Sequence, residues 1–158
     1  MYVVGIDFSI NFPSLCICKD FTEFKWIACV NTKVSHKFEI FMEEIQSTYK
    51  NIKIIMLGEK TLKKDTYSNT ERAKLINYST LVDTLISELK KEIGDCKDII
   101  ISIEGIAYGA SGNALIDISQ STGMLRKDIA SKILNYNYNR FFVFSPGELK
   151  NAIGAKGN

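Results

Sequence analysis

The feature that most constrains the fold is a repeated pattern, a short apolar run that closes on an acid. Ile99-Ile100-Ile101-Ser102-Ile103 ends in Glu104, and Tyr2-Val3-Val4-Gly5-Ile6 ends in Asp7. A run interrupted so little predicts a strand inside a sheet, buried on both faces. A carboxylate at the mouth of such a strand costs free energy unless a positive group pairs with it. One such acid is accommodated by a partner lysine or by a turn. Two of them, on strands that neighbour each other, would converge at one edge of the sheet.

The rest of the chain supplies elements in an order that makes them neighbours. Tyr2 to Phe8, Pro13 to Lys19 and Glu23 to Val30 are short apolar or alternating stretches joined by tight polar links, which predicts an antiparallel meander of three strands. Phe38, Phe41, Met42 and Ile45 have helical spacing, and Ile52 to Leu57 reads as a further strand. The region around 32–68 is expected to be an insertion or a pair of peripheral elements. A helix capped at Asn69 or Thr70 carries Leu75, Tyr78, Leu81, Val82, Leu85, Ile86 and Leu89 at spacings of three and four, and ends near Gly94. After the strand ending at Glu104, a second helix runs from about Asn113 to Asn135. Arg140 to Phe144 is another strand, and Ser145-Pro146-Gly147-Glu148 opens a short helix with Ser145 as its cap. Trp26 and the Phe141, Phe142 and Phe144 cluster are assigned to the core. The order predicts an α/β fold, a ribonuclease H-like mixed five-stranded sheet (an antiparallel meander of three strands plus two parallel strands) with flanking helices.

Composition narrows the class. With 158 residues, 46% hydrophobic, 24% charged and two prolines, the chain has the makings of one domain and not of a disordered or fibrous polymer. No apolar run reaches the roughly 18 residues of a membrane span, and Met1 to Asp7 lacks the basic flank of a secretory signal. The expectation is a cytosolic protein without membrane association. Cys16, Cys18, Cys29 and Cys96 lie in apolar surroundings and read as free, buried thiols. Zinc is disfavoured, since no CxxC pair occurs and His36 is the one histidine. The formal charge of +2 permits a nucleic-acid partner without requiring one.

Hard carboxylate oxygens from Asp7 and Glu104 would hold Mg²⁺, or Mn²⁺ in its place. Paired divalent ions of this kind support phosphodiester hydrolysis, and a complete two-metal site calls for at least one more carboxylate. Asp117, near the start of the second helix, is either a substitute ligand or a partner of the helix dipole. Tyr108-Gly109-Ala110-Ser111-Gly112 is either a phosphate-binding loop ahead of a helix or a plain connection. Lys60, Lys63, Lys64, Arg72 and Lys74 form a phosphate strip or a solvated surface. Phe8, Phe12 and Tyr108 are either stacking platforms for bases or core.

Taken in order, Val4-Gly5-Ile6-Asp7-Phe8-Ser9, Ile103-Glu104, Gly112-Asn113-Ala114-Leu115, Gln120-Ser121-Thr122-Gly123, Ser145-Pro146, Leu149-Lys150 and Gly154-Ala155-Lys156-Gly157-Asn158 resemble the RuvC-type Holliday junction resolvases, particularly their phage and viral relatives. The resemblance implies a homodimeric, Mg²⁺-dependent endonuclease that cuts four-way DNA junctions in a bacterial or infected-host cytosol. By the same resemblance Asp7 and Glu104 are catalytic metal ligands. Ser9, Tyr108, Ser111, Asn113, Lys150 and Lys156 would contact DNA. The family carries further aspartates on a helix after the glycine-rich segment, whereas this sequence stops at Asn158, so a truncated C-terminus is expected. The competing readings are a branched-DNA-binding module that does not cut, a ribonuclease acting on RNA-DNA hybrids, and a kinase-like or actin-like fold. The last is suggested by Gly5-Ile6-Asp7-Phe8-Ser9 and disfavoured by the short chain.

Overall fold

The computed structural model describes residues 1–58, 66–106, 112–152 and 154. Their elements are β1 (Tyr2–Asp7), β2 (Ser14–Lys19), β3 (Glu23–Val30), α1 (His36–Thr48), β4 (Ile52–Met56), α2 (Tyr67–Ile93), β5 (Ile99–Glu104), α3 (Asn113–Asp128), β6 (Phe141–Phe144) and α4 (Pro146–Ala152). A single π turn, Ile129–Ile133, prolongs α3. The strands form one mixed sheet in the order β4-β3-β2-β1-β5-β6. β2 runs antiparallel to β1 and β3, while β1 with β5, β3 with β4 and β5 with β6 are parallel.

The sheet therefore has six strands, not the expected five. The sixth is β4, which joins the outer side of β3 instead of standing apart as a peripheral element. Its parallel direction follows from α1, which gives the chain the length to cross back before pairing again. Ser35 starts α1 by accepting the Phe38 N–H on its hydroxyl oxygen at 3.3 Å.

One face of the sheet carries the core. Val4 and Ile6, Leu15 and Ile17, Ile27 and Cys29, and Ile99, Ile101 and Ile103 all point to it and pack with Leu81, Leu85 and Leu89 of α2 and Leu125 of α3. Complete burial of a Leu or Ile side chain is worth about 1.5–3 kcal/mol, so this single layer holds most of the apolar driving force. Cys29 is fully buried there, which pushes its thiol up to about 11. The four cysteines are free, with Cys18 and Cys29 buried and Cys16 and Cys96 partly exposed.

The opposite face departs from expectation. β5 alternates instead of being buried on both sides, so Ile100, Ser102 and Glu104 are only partly covered. Trp26, Phe142 and Phe144 belong to that second face by strand parity and are substantially exposed, contrary to their assignment to the core. Apolarity predicted a strand but not whether a layer lies over it.

Between the layers, the helix side is stitched to the sheet by charge. Glu88, buried on α2, accepts hydrogen bonds from Lys53 of β4 and Lys91 of its own helix. Burial pushes its carboxyl up, but the two lysines outweigh that and hold it below the ordinary carboxylate value. Lys25 of β3 meets Glu92 in the same way at 2.6 Å. No helix among the described residues is long and apolar enough to cross a membrane.

Candidate functional site

β1, β3, β4, β5 and β6 all end at the same edge of the sheet, because only β2 runs the other way. At that edge the chain leaves β1 toward β2 on one side and leaves β5 toward α3 and β6 on the other. The edge beyond the carboxyl ends of parallel strands is the usual ligand position in open α/β sheets.

Asp7 and Glu104 stand at this edge. The β1–β5 ladder pairs Ile6 with Ile103, and one residue further the same register brings Asp7 level with Glu104. Neighbouring strands are roughly 4.8 Å apart, and equal parity puts both carboxyls on the face away from the core. The row extends sideways, since Asp7 pairs with Ser14 of β2 and Glu104 with Phe144 of β6. Ser14, Asp7 and Glu104 thus present three oxygen-bearing side chains in line. Ser14 escaped sequence reasoning, its one signal being its place at the start of a strand just after Pro13.

Neither carboxyl has a hydrogen-bond or ion-pair partner among the described residues. Two unneutralised carboxylates side by side repel, and an added cation relieves both at once. The donor set is all oxygen, which suits Mg²⁺, Mn²⁺ or Ca²⁺ and not zinc. No cluster of three or more metal-ligating Asp, Glu, His or Cys side chains occurs among the described residues, so the third carboxylate called for above is not among them. Asp117 is held elsewhere, with Lys74 Nζ at 2.9 Å, tying α3 to α2.

The segment after Asp7 is pinned down. Ser9 Oγ accepts the Phe12 N–H at 3.0 Å, Asn31 Nδ2 donates to the Ile10 carbonyl at 2.8 Å, and the Asn31 and Cys29 N–H groups donate to the Asn11 and Pro13 carbonyls. The Ser9 hydroxyl is therefore engaged in shaping the turn, with its proton left to donate. Asn31, buried at the end of β3, is a second residue that sequence reasoning missed. Asn31→Ala is expected to lower unfolding free energy by about 1 kcal/mol, read as a lower urea midpoint with unchanged slope. An unchanged midpoint would mean that the Ile10 carbonyl gains nothing from this partner.

Beyond Glu104, Gly105 donates its N–H to the Phe144 carbonyl at 2.7 Å, and a Cβ there would stand 3.3 Å from that same oxygen. The close approach locks the ends of β5 and β6 together beside the carboxylate. Asn113 opens α3, preceded by Gly112 at φ +63°, and no side chain caps that helix end. Lys150 lies exposed in α4, whose start is a reciprocal cap: Ser145 N–H and Oγ–H donate to Glu148 Oε2 at 2.7 and 2.8 Å, and Glu148 N–H donates to Ser145 Oγ at 3.2 Å. Those bonds hold the Glu148 carboxyl below its ordinary value. Tyr108, Ser111 and Lys156 lie outside the described residues, as do Lys60, Lys63 and Lys64.

A cavity of about 730 Å³ lies at the opposite edge of the sheet, before β5 and β6. Two of its cations are already neutralised, Lys132 by Asp128 at 2.7 Å and Arg140 by Asp98 at 2.8 Å. The carboxylates of Asp7 and Glu104, unpaired among the described residues, mark the stronger candidate.

No family model matches the chain, and no curated protein matches it. Among solved structures it is similar to two of the Aquifex aeolicus Ppx/GppA phosphatase. One, the type II variant, is 11% identical with a TM-score of 0.37; the other is 13% identical with a TM-score of 0.35. Each similarity covers 92% of this chain and 36% of the other, so the chain spans about a third of their length. These neighbours are phosphatases and not junction resolvases, and with no family match the expected RuvC-type resolvase and its junction-cutting activity do not hold. The short motifs that carried that resemblance recur at the ends of strands in many α/β proteins, and their order alone did not separate one family from another.

Proposed function

We propose that the chain is a phosphohydrolase acting on phosphate monoesters or phosphoanhydrides, with Asp7 and Glu104 as ligands of a divalent cation, Mg²⁺ or Mn²⁺. The observation that carries this reading is the pair of carboxyls, without partners among the described residues, at the carboxyl ends of adjacent parallel strands, where the onward chain parts in two directions. It does not rest on the similarity to the phosphatase, which is too distant to carry an activity. The finer fold assignment is ribonuclease H-like, supported by the order β3-β2-β1-β5-β6 with a single antiparallel strand and with β4 added at its edge.

When bound, the cation supplies positive charge that neutralises phosphoryl oxygens. The protein's part is to hold and orient. Asp7 and Glu104 fix the cation from two neighbouring strands, and Ser14 offers a hydroxyl beside Asp7. The uncapped first turn of α3 at Gly112 and Asn113 presents backbone N–H groups to an anion, and the Ser9 hydroxyl and the Lys150 ammonium are the further candidates for phosphate contact.

Phosphate release from p-nitrophenyl phosphate, ATP and polyphosphate, measured with Mg²⁺ and with chelator, tests the reading. Release that needs the cation and disappears in Asp7→Asn and Glu104→Gln is the expected result. Equal release by wild type and both variants would place any activity elsewhere.

A further inference from the structure

The carboxylates of Asp7 and Glu104 share their face of the sheet with two phenyl rings. Pairing sets Phe144 beside Glu104 in the same row, and one row further in it sets Cys16, Gly5, Ser102 and Phe142 side by side on four adjacent strands. Strand parity puts all of them on the face away from the core. Behind the two acids the sheet therefore carries only small residues, and at the β6 end of both rows it carries an aromatic one.

The small residues leave that floor low. Glycine inside a strand weakens it, and marks a bulge, a tight bend or a place where another group comes close. The β1 ladder runs on both sides of Gly5 without a bulge, and a Cβ there would stand 3.9 Å from Ser102 Oγ, an ordinary contact. Neither strand geometry nor crowding within the chain calls for glycine, so close approach from outside is what remains. Ser102 Oγ–H donates to the Val4 carbonyl at 3.2 Å, which ties the hydroxyl down to the sheet. The rings beside the floor are open to contact, with Phe142 43% and Phe144 38% exposed. Their planes lie within 10° of parallel and their centroids 6.3 Å apart, a set that a further ring joins by offset stacking or by its edge.

We propose that this face binds a phosphate monoester whose leaving group is an aromatic ring joined directly to the ester oxygen, and that Phe144 and Phe142 select it. The inference rests on the cation site of the function proposed above and narrows its substrate. Reach decides the class. A phosphoryl group held at Asp7 and Glu104 has Phe144 one strand beyond Glu104, and a strand spacing of roughly 4.8 Å is about the span from a phosphorus atom to the centre of a ring esterified to it. The ring then lies over Gly5 and Ser102, where no long side chain obstructs it, and against the two phenyl groups. A phosphoanhydride would set a second charged phosphoryl group against those rings and gain nothing from them.

Phenylphosphonate and methylphosphonate differ in the ring alone and resist hydrolysis, so their binding to the full chain in Mg²⁺, measured by isothermal titration calorimetry, tests the proposal whether or not the chain turns over. Wild type should bind phenylphosphonate about tenfold more tightly, the worth of one ring stacked on an aromatic side chain. Phe144→Ala should remove that preference and Phe144→Trp should keep it. Gly5→Val, which raises the floor from a backbone with room for a Cβ, should remove it too with unchanged circular dichroism, a check that holds even if the alanine variant misfolds. Equal affinity for the two phosphonates in wild type, or a preference that survives both Phe144→Ala and Gly5→Val, overturns the proposal and leaves the cation site standing. Binding of neither phosphonate overturns it together with the phosphohydrolase reading.

Discussion

Asp7→Asn is expected to melt slightly higher than wild type in chelator and to lose the stabilisation that Mg²⁺ gives the wild-type chain. Both halves follow from the same pair of carboxyls. Two like charges on strands about 4.8 Å apart at a solvent-exposed edge repel by about 0.9 kcal/mol in a water-like dielectric, and an amide at position 7 removes that repulsion. A cation that binds the folded chain at ten times its dissociation constant adds about 1.4 kcal/mol, which for a chain of this size is a rise of about 3–5 °C. Differential scanning fluorimetry with and without Mg²⁺ reads the two effects separately. A variant that melts well below wild type in chelator would show instead that Asp7 is held by a structural partner.

Glu88→Gln is expected to cost about 1–2 kcal/mol at neutral pH and to flatten the acid side of the stability curve. The magnitude falls below the roughly 3–5 kcal/mol for breaking a fully buried pair because the partners are not buried. Lys53 and Lys91 are 43% and 61% exposed and rehydrate when the carboxylate is gone. The direction with pH follows from the lowered carboxyl. Below the ordinary value of 4.5 the unfolded chain takes up a proton before the folded one does, so stability present above that pH is lost as pH falls through the folded value. Asp128, held down against burial by Lys132 and Lys127, adds to the same acid limb. Urea titrations between pH 3 and 7 should therefore give a steeper acid loss for wild type than for the variant; parallel curves would remove Glu88 from the account.

The meander was legible nearly to the residue, because alternation in β1, β2 and β3 reflects one covered face and tight links leave little choice of partner. The stripe and the end of α2 were legible for a similar reason, since its apolar stripe is long and Gly94 at φ +56° ends it, but its start was not: the cap is Thr66, whose hydroxyl accepts the Asn69 N–H at 3.2 Å, and not Asn69 or Thr70. What local pattern does not carry is the third dimension. Ile52–Met56 reads as a strand, but its place outside β3 depends on how α1 crosses, which no short window encodes. Trp26, Phe142 and Phe144 look like core side chains, and only the arrangement of layers reveals their exposure. Glu88 looks like one more polar residue on a helix, while the lysine that makes it a buried anchor is 35 positions away. At the candidate site the acids stood out because charge at the end of an apolar run is costly. Ser14 and Asn31 did not, since a hydroxyl or an amide near a strand end is ordinary until the register and the hydrogen bonds give it a neighbour.

The most direct test of the central claim is a Mn²⁺ titration of the full chain followed by electron paramagnetic resonance, in which free Mn²⁺ loses signal as it binds. Wild type should show saturable binding that Mg²⁺ displaces, and Asp7→Asn and Glu104→Gln should each weaken it at least tenfold while leaving the fold intact by circular dichroism. Binding of equal strength in wild type and both variants, or no saturable binding in wild type, would contradict a cation site between β1 and β5.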